Sequence, residues 1–146
     1  MIRIARYKDL GLIVPLMTER FRNDPKWLLK RQCISSIMRE TEDTLLYFDG
    51  LEVLGFAMVS LRKDHVDGSY FSPTGYLEAL FVKPEFRNKK IALELMIEAE
   101  KWCLARDCKE MGSDVELDDK LSHTFYEKGG FTRLNTTVAY IKELEV

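Results

Sequence analysis

The chain is expected to fold as a mixed α/β protein. A central sheet of six to seven mostly antiparallel strands would carry helices on both faces. Three observations predict this. Apolar periodicity switches repeatedly between two and about 3.6 residues. Two strand-like runs, residues 44–48 and 53–61, are joined by the tight-turn pair Asp49-Gly50, which fixes antiparallel pairing. Later, an apolar strand, a long helix and a short strand follow in succession, a unit that needs a parallel neighbour. Sheets of this kind place ligands beyond strand ends, where strand order or direction changes.

The expected order is β-α-α-β-β-β-α-β-α-β-β. Residues 2–6 alternate apolar and polar, as a half-buried strand does. Residues 8–21 carry Leu10, Ile13, Val14, Met17 and Phe21 at helical spacing, with Pro15 predicting a late start or a kink. Asn23-Asp24-Pro25 predicts a second helix, capped by Asp24 and opened by Pro25, that ends near Glu40. The hairpin follows, with Gly55 marking a close approach or a bulge. Residues 62–75 form a loop long enough to be functional. After the strand from Tyr76 to Val82, residues 90–106 are the clearest helix, with Ile91, Leu95, Ala99 and Trp102 on one face. A short strand at 111–114 and a helix at 118–128 follow, the helix started by aspartates and stopped by Gly129-Gly130. Residues 131–134 and 138–141 read as closing strands.

Composition bounds the function. A length of 146 residues suits one domain, 1–146, and 46% hydrophobic with 32% charged residues is ordinary for a globular chain. No apolar run approaches the ~20 residues of a membrane helix, and the N-terminus has no signal-peptide pattern, so a cytoplasmic location is expected. A net charge of −2 argues against nucleic acid as partner. Cys33, Cys103 and Cys108 lack a Cys-x-x-Cys spacing, and with two histidines in the chain no metal is expected. The acids from Asp114 to Asp119 lack calcium-loop spacing.

The stretch from Tyr76 to Ala92 runs from a strand through a basic loop into a helix start. Unpaired N–H groups and the helix dipole favour an anion there, and Arg87, Lys89 and Lys90 add positive charge. Solvated lysines on a plain connection are the alternative. Glu78 is the one carboxylate in the apolar strand, an acid or base beside that loop or simply half of a salt bridge.

Order and residues together resemble the GNAT superfamily of acyl-CoA-dependent N-acyltransferases. That family's pyrophosphate loop has the pattern Gln/Arg-x-x-Gly-x-Gly/Ala. Here it reads Arg87-Asn88-Lys89-Lys90-Ile91-Ala92, with Lys90 in place of the middle glycine. The later family pattern Phe/Leu-Tyr-Glu-Lys-x-Gly-Phe is matched by Phe125-Tyr126-Glu127-Lys128-Gly129-Gly130-Phe131. More narrowly, Arg62-Lys63-Asp64-His65-Val66-Asp67-Gly68, Ser72-Pro73, the strand from Tyr76 to Val82 and Cys108-Lys109-Glu110-Met111-Gly112-Ser113-Asp114 are similar to a subgroup of bacterial aminoglycoside 6'-N-acetyltransferases.

The resemblance implies acetyl-CoA as co-substrate, a homodimer and a cationic amine acceptor. It implies that Arg87, Asn88, Lys89, Lys90, Ile91 and Ala92 hold the pyrophosphate. Leu80, Phe81 and Val82 would line the pantetheine arm, with N–H groups of Phe81 and Val82 on the arm and the acyl oxygen. Asp119 matches a coenzyme-contacting Asn. An amine attacks a thioester only when neutral, so the site must remove a proton and protonate the leaving thiolate. Glu78 is the expected base and ammonium anchor, placed by strand alternation on the face of Leu80 and Val82. Asp114 would assist it, a helix cap being its alternative, and Tyr126 is the expected acid, packing of its helix being the alternative. Phe21, Asp24, His65 and Asn135 are expected at the acceptor, Asn135 where relatives are acidic. Lys90 costs little if its φ is helical, and costs close approach to the phosphates if φ is positive. The competing readings are the same chemistry on a polyamine, amino sugar or peptide, and a coenzyme-binding protein with weak catalysis.

Overall fold

The structure is a computed structural model and describes residues 1–145. The chain divides into two compact units, Met1–Asp114 and the residues from Val115 onward. In the first, β1 (Ile2–Ile4), α1 (Leu10–Arg20), α2 (Lys26–Met38), β2 (Glu42–Asp49), β3 (Glu52–Arg62), β4 (Thr74–Val82), α3 (Ile91–Leu104) and β5 (Met111–Ser113) follow in order. The sheet has five strands in the order β1-β2-β3-β4-β5. The first three pairings are antiparallel, and β4 with β5 is parallel, as a strand–helix–strand unit demands.

Successive residues of β2 show how the sheet is covered. The Ser36 and Thr44 hydroxyls bond to each other and tie α2 to one face. Asp43, pointing to the other face, accepts from Trp102 Nε1 of α3 at 2.8 Å. On the α1/α2 side, Ile13, Met17, Leu29 and Cys33 bury against Leu46, Phe56 and Phe81. On the α3 side, Leu95 and Ala99 are fully buried.

The expected boundaries shift in physically explicable ways. A 3-10 turn at Tyr7–Asp9 precedes α1, so the helix starts late and carries Pro15 in its interior. Asp24 does not cap α2: Pro25 is the N-cap, in an extended conformation, and no side chain caps the helix. Gly55 is a close approach, because a Cβ there would stand 2.6 Å from the Phe81 carbonyl oxygen.

The second unit holds α4 (Lys120–Lys128), whose N-cap Asp119 accepts from Ser122 N at 3.1 Å and from Ser122 Oγ at 2.6 Å. Residues 131–134 and 138–141 are not strands, so among the described residues the sheet has five rather than six or seven. Alternation alone does not make a strand; it needs a paired edge and a covered face. Val138 and Tyr140 remain 69% and 93% exposed.

Candidate active site

Glu78 is placed by a break in register. Leu77 pairs with Val59 and Ala79 with Met58, so Glu78 is the extra residue of a β-bulge. Tyr76 pairs with Ser60. Met58 and Ser60 share a face of β3, so Ala79 and Phe81, rather than Leu80 and Val82, continue the face that carries Tyr76. The bulge thus overturns the side predicted by simple alternation. It also turns Glu78 outward: it is exposed in a strand whose other residues are buried or nearly so.

The salt bridge weighed as an alternative for Glu78 is present. Arg62 donates Nη2 to Glu78 Oε1 at 2.7 Å and Nε to Oε2 at 3.1 Å. Ser60 Oγ donates to the same Oε2. The Arg62 guanidinium lies 3.4 Å above the centre of the Tyr76 ring. The Asp114 charge in turn acts on the Tyr76 phenol. Burial, and then the Asp114 charge, push the Tyr76 phenol up to about 12, so it stays protonated. Arg62 feels both Glu78 and Asp114. Ser60, Glu78, Arg62, Tyr76 and Asp114 therefore form one connected polar group at the end of β5. Asp114 is not a helix cap, that place being taken by Asp119.

Ser60, Arg62 and Tyr76 were not identified as site residues from sequence. The signal was present, because antiparallel alternation sets Ser60 across from Tyr76, next to a strand carboxylate.

Beside this group the sheet opens. β5 pairs with β4 only over Gly75–Leu77, while β4 continues to Val82. From Glu78 onward the outer edge of β4 has no strand beside it among the described residues. Lys83 N–H donates to Leu54 O of β3 at 2.9 Å, and the Phe81 carbonyl faces Gly55. Backbone direction alternates along a strand, so Phe81 spends its N–H and C=O on β3, and those of Leu80 and Val82 face the open edge. This corrects the expectation that Phe81 and Val82 both offer N–H groups.

β4 leads through a 3-10 turn, Pro84–Phe86, into the basic loop. Arg87 Nε donates to Val82 O at 3.0 Å, which folds the loop back on the strand and leaves the other guanidinium donors for a ligand. Asn88 and Lys90 both have φ of 65°, in the left-handed region. Lys90 is the N-cap of α3 and makes no side-chain cap, so the costly alternative for this lysine is the one realised. A left-handed residue followed by helical Ile91 forms a concavity of N–H groups suited to an anion. Three cations and this helix start fit the diphosphate of coenzyme A in charge and donor type.

Phe21 and Asp24 lie in the turn between α1 and α2, where Asp24 N–H donates to Phe21 O at 3.2 Å. His65 is exposed on the loop before β4, with Nε2 3.9 Å from Asp67 Oδ1. In the second unit, Tyr126 packs edge-on against Phe131 with ring centres 5.0 Å apart. Asn135 Oδ1 accepts from Thr137 Oγ1 at 3.4 Å.

A model of the acetyltransferase (GNAT) family matches residues 10–131. The aminoglycoside N(6')-acetyltransferase type 1 of Acinetobacter baumannii is 33% identical over 100 residues, 68% of each chain. The enzyme of that name from Acinetobacter genomosp. 13 is 29% identical over 115 residues, 77% of this chain and 79% of its own. Among solved structures, aminoglycoside N-acetyltransferase AAC(6')-Iy in complex with CoA matches with a TM-score of 0.92 at 24% identity, over 99% of this chain and 95% of that one. The 6'-N-acetyltransferase AAC(6')-Ih from Acinetobacter baumannii matches with a TM-score of 0.86 at 27% identity, over 99% of both.

Proposed function

The chain belongs to the acetyltransferase (GNAT) family, and from that premise we propose that it acetylates a primary amine, the 6'-amine of aminoglycoside antibiotics, by direct attack of the deprotonated amine on the thioester of acetyl-CoA. One observation carries this reading: the bulged Glu78, tied to Asp114 through Arg62 and Tyr76, stands where β4 loses its β5 neighbour. The family match spans both compact units, which supports treating residues 1–146 as one acyl-CoA N-acyltransferase domain.

Acetyl-CoA supplies an activated acyl group; the chain's residues do the rest. Arg87, Asn88, Lys89, Lys90, Ile91 and Ala92 hold the pyrophosphate by charge and by first-turn N–H groups. Leu80 and Val82 align the pantetheine arm along the open edge of β4, and their N–H groups take up negative charge developing on the acyl oxygen. Glu78 and Asp114 attract the acceptor's ammonium. Glu78 removes its proton, directly or through one water, and so frees the lone pair that attacks. Tyr126 protonates the leaving thiolate, an assignment supported by the match of Phe125 to Phe131 to the family pattern. Asp119 is a coenzyme contact in the same reading, and Phe21, Asp24, His65 and Asn135 line the acceptor.

The reading includes a cytoplasmic homodimer. The apolar residues Val138, Tyr140 and Ile141, 69%, 93% and 101% exposed, are surface that a second copy would cover. Three buried, unbridged cysteines suit a reducing compartment.

A different amine is favoured by one observation. Arg62 already neutralises part of the acidic group, which lowers its pull on a polycation. A thiol-release assay with acetyl-CoA across kanamycin, tobramycin, spermidine and an N-terminal peptide separates the readings. Turnover on the aminoglycosides is expected. Turnover on spermidine or peptide alone would replace the acceptor, and coenzyme binding without turnover on any amine would remove the enzyme.

A further inference from the structure

Glu78 already receives three donors: Ser60 Oγ, Arg62 Nε at 3.1 Å and Arg62 Nη2 at 2.7 Å. A carboxylate offers about four lone-pair directions, so about one is left for an incoming proton donor. The Arg62 side chain is 42% exposed and that of Glu78 33%, so the remaining direction is open to a ligand. Arg62 is itself fixed from a second side by the ring of the buried Tyr76, 3.4 Å below it. A planar fork stacked on a ring has one orientation, and that orientation dictates the carboxylate's.

The charges add a second consequence. Glu78 and Asp114 carry two negative charges, and Arg62 returns one positive charge to the same place. The acceptor's ammonium thus meets one net negative charge rather than two. An arginine here opposes acceptor binding while it fixes the carboxylate.

We propose that Arg62 is a positioning residue: it locks the Glu78 carboxylate with one free acceptor direction for the amine proton, and it lowers affinity for cationic acceptors in doing so. The proposal rests on Glu78 as the base. It predicts that loss of Arg62 lowers kcat and KM together, turnover weakening while acceptor binding tightens, which neither a plain structural role nor a substrate-binding role produces.

Arg62→Gln removes the charge and the fork. The expected result is a fall in kcat of about 10- to 100-fold, the cost of a misplaced reacting group. The acceptor's KM falls by about two- to five-fold, in keeping with loss of one partly exposed competing charge. Calorimetric Kd for the same amine, with CoA present, falls likewise. Arg62→Lys keeps the charge without the fork or the stacking, so KM returns to the wild-type value while kcat stays low. In a Glu78→Gln background, Arg62→Gln produces no further loss of kcat, because the group it positions is gone.

Full recovery of kcat in Arg62→Lys would overturn the proposal, reducing the role to charge alone. So would a raised KM at unchanged kcat in Arg62→Gln, or additive losses in the double variant. The ratios of variant to wild type are read on whichever amine the wild type acetylates. Turnover of spermidine but not kanamycin therefore changes the acceptor and leaves the Arg62 test standing. A wild type that acetylates no amine overturns both.

Discussion

Glu110 accepts the Ser69 hydroxyl at 2.8 Å across 41 positions of sequence. The same carboxylate oxygen takes the N–H groups of Tyr70 at 3.0 Å and Phe71 at 3.1 Å. One side chain just before β5 thus clasps the loop between β3 and β4. Ser69, then these N–H groups, hold the Glu110 carboxyl below its ordinary range. A lowered carboxyl stabilises the clasp above the unfolded value near 4.5 and loses that contribution as pH falls through the folded value. Glu110→Ala is expected to raise the acceptor's KM several-fold, leave acetyl-CoA binding unchanged and open residues 63–73 to limited proteolysis. An unchanged cleavage pattern would show that the loop is held by other means.

Lys90 is strained. A lysine with φ of 65° costs about 1–2 kcal/mol, part of which glycine gives back through its looser unfolded chain. Lys90→Gly is expected to raise stability by about 0.5–1 kcal/mol, or roughly 3 °C in a thermal melt. Lys90→Ala keeps the strain and loses the charge, so it should weaken acetyl-CoA binding without raising Tm. A higher Tm for the alanine variant would place the strain elsewhere.

Asp9 is buried and receives both Arg3 nitrogens, at 2.8 and 2.9 Å, together with the Arg6 N–H at 2.7 Å. The Arg3 fork, foremost, pulls its carboxyl from 3.8 to about 2. The depressed folded value means a stabilising contribution of about 2 kcal/mol that is present at neutral pH and lost between about pH 4 and pH 2. Urea melts of Asp9→Asn should show that loss at pH 7 and a flatter acid slope. A variant with the wild-type slope would contradict the assignment.

Much of this was readable in the amino-acid pattern because it is local. Asp49-Gly50 marked the hairpin, the spacing of Leu95, Ala99 and Trp102 marked α3, and Tyr76 to Ala92 marked the strand–loop–helix junction. The rest depends on pairing across distance. No periodicity within β4 announces that Glu78 is bulged; that follows from its register with Met58 and Val59. Alternation around Val138 looked like a strand, yet a strand requires an edge to pair with. The sign of φ at Lys90 was open in the sequence, because a lysine gives no hint of the left-handed turn that a glycine would have advertised.

Glu78→Gln keeps the size of the side chain and its neighbours but cannot take a proton. A fall in kcat of on the order of 10²–10⁴ is expected, with acetyl-CoA Kd unchanged by calorimetry. An unaltered rate would take Glu78 out of the mechanism and shift the base role to Asp114.

The central claim is acetyl transfer from coenzyme to the 6'-nitrogen of an aminoglycoside. NMR of the product formed from kanamycin and carbonyl-labelled acetyl-CoA tests it directly. The account predicts one labelled acetamide, bonded to the 6'-nitrogen. A label on another nitrogen, or unmodified kanamycin beside intact acetyl-CoA, would contradict it.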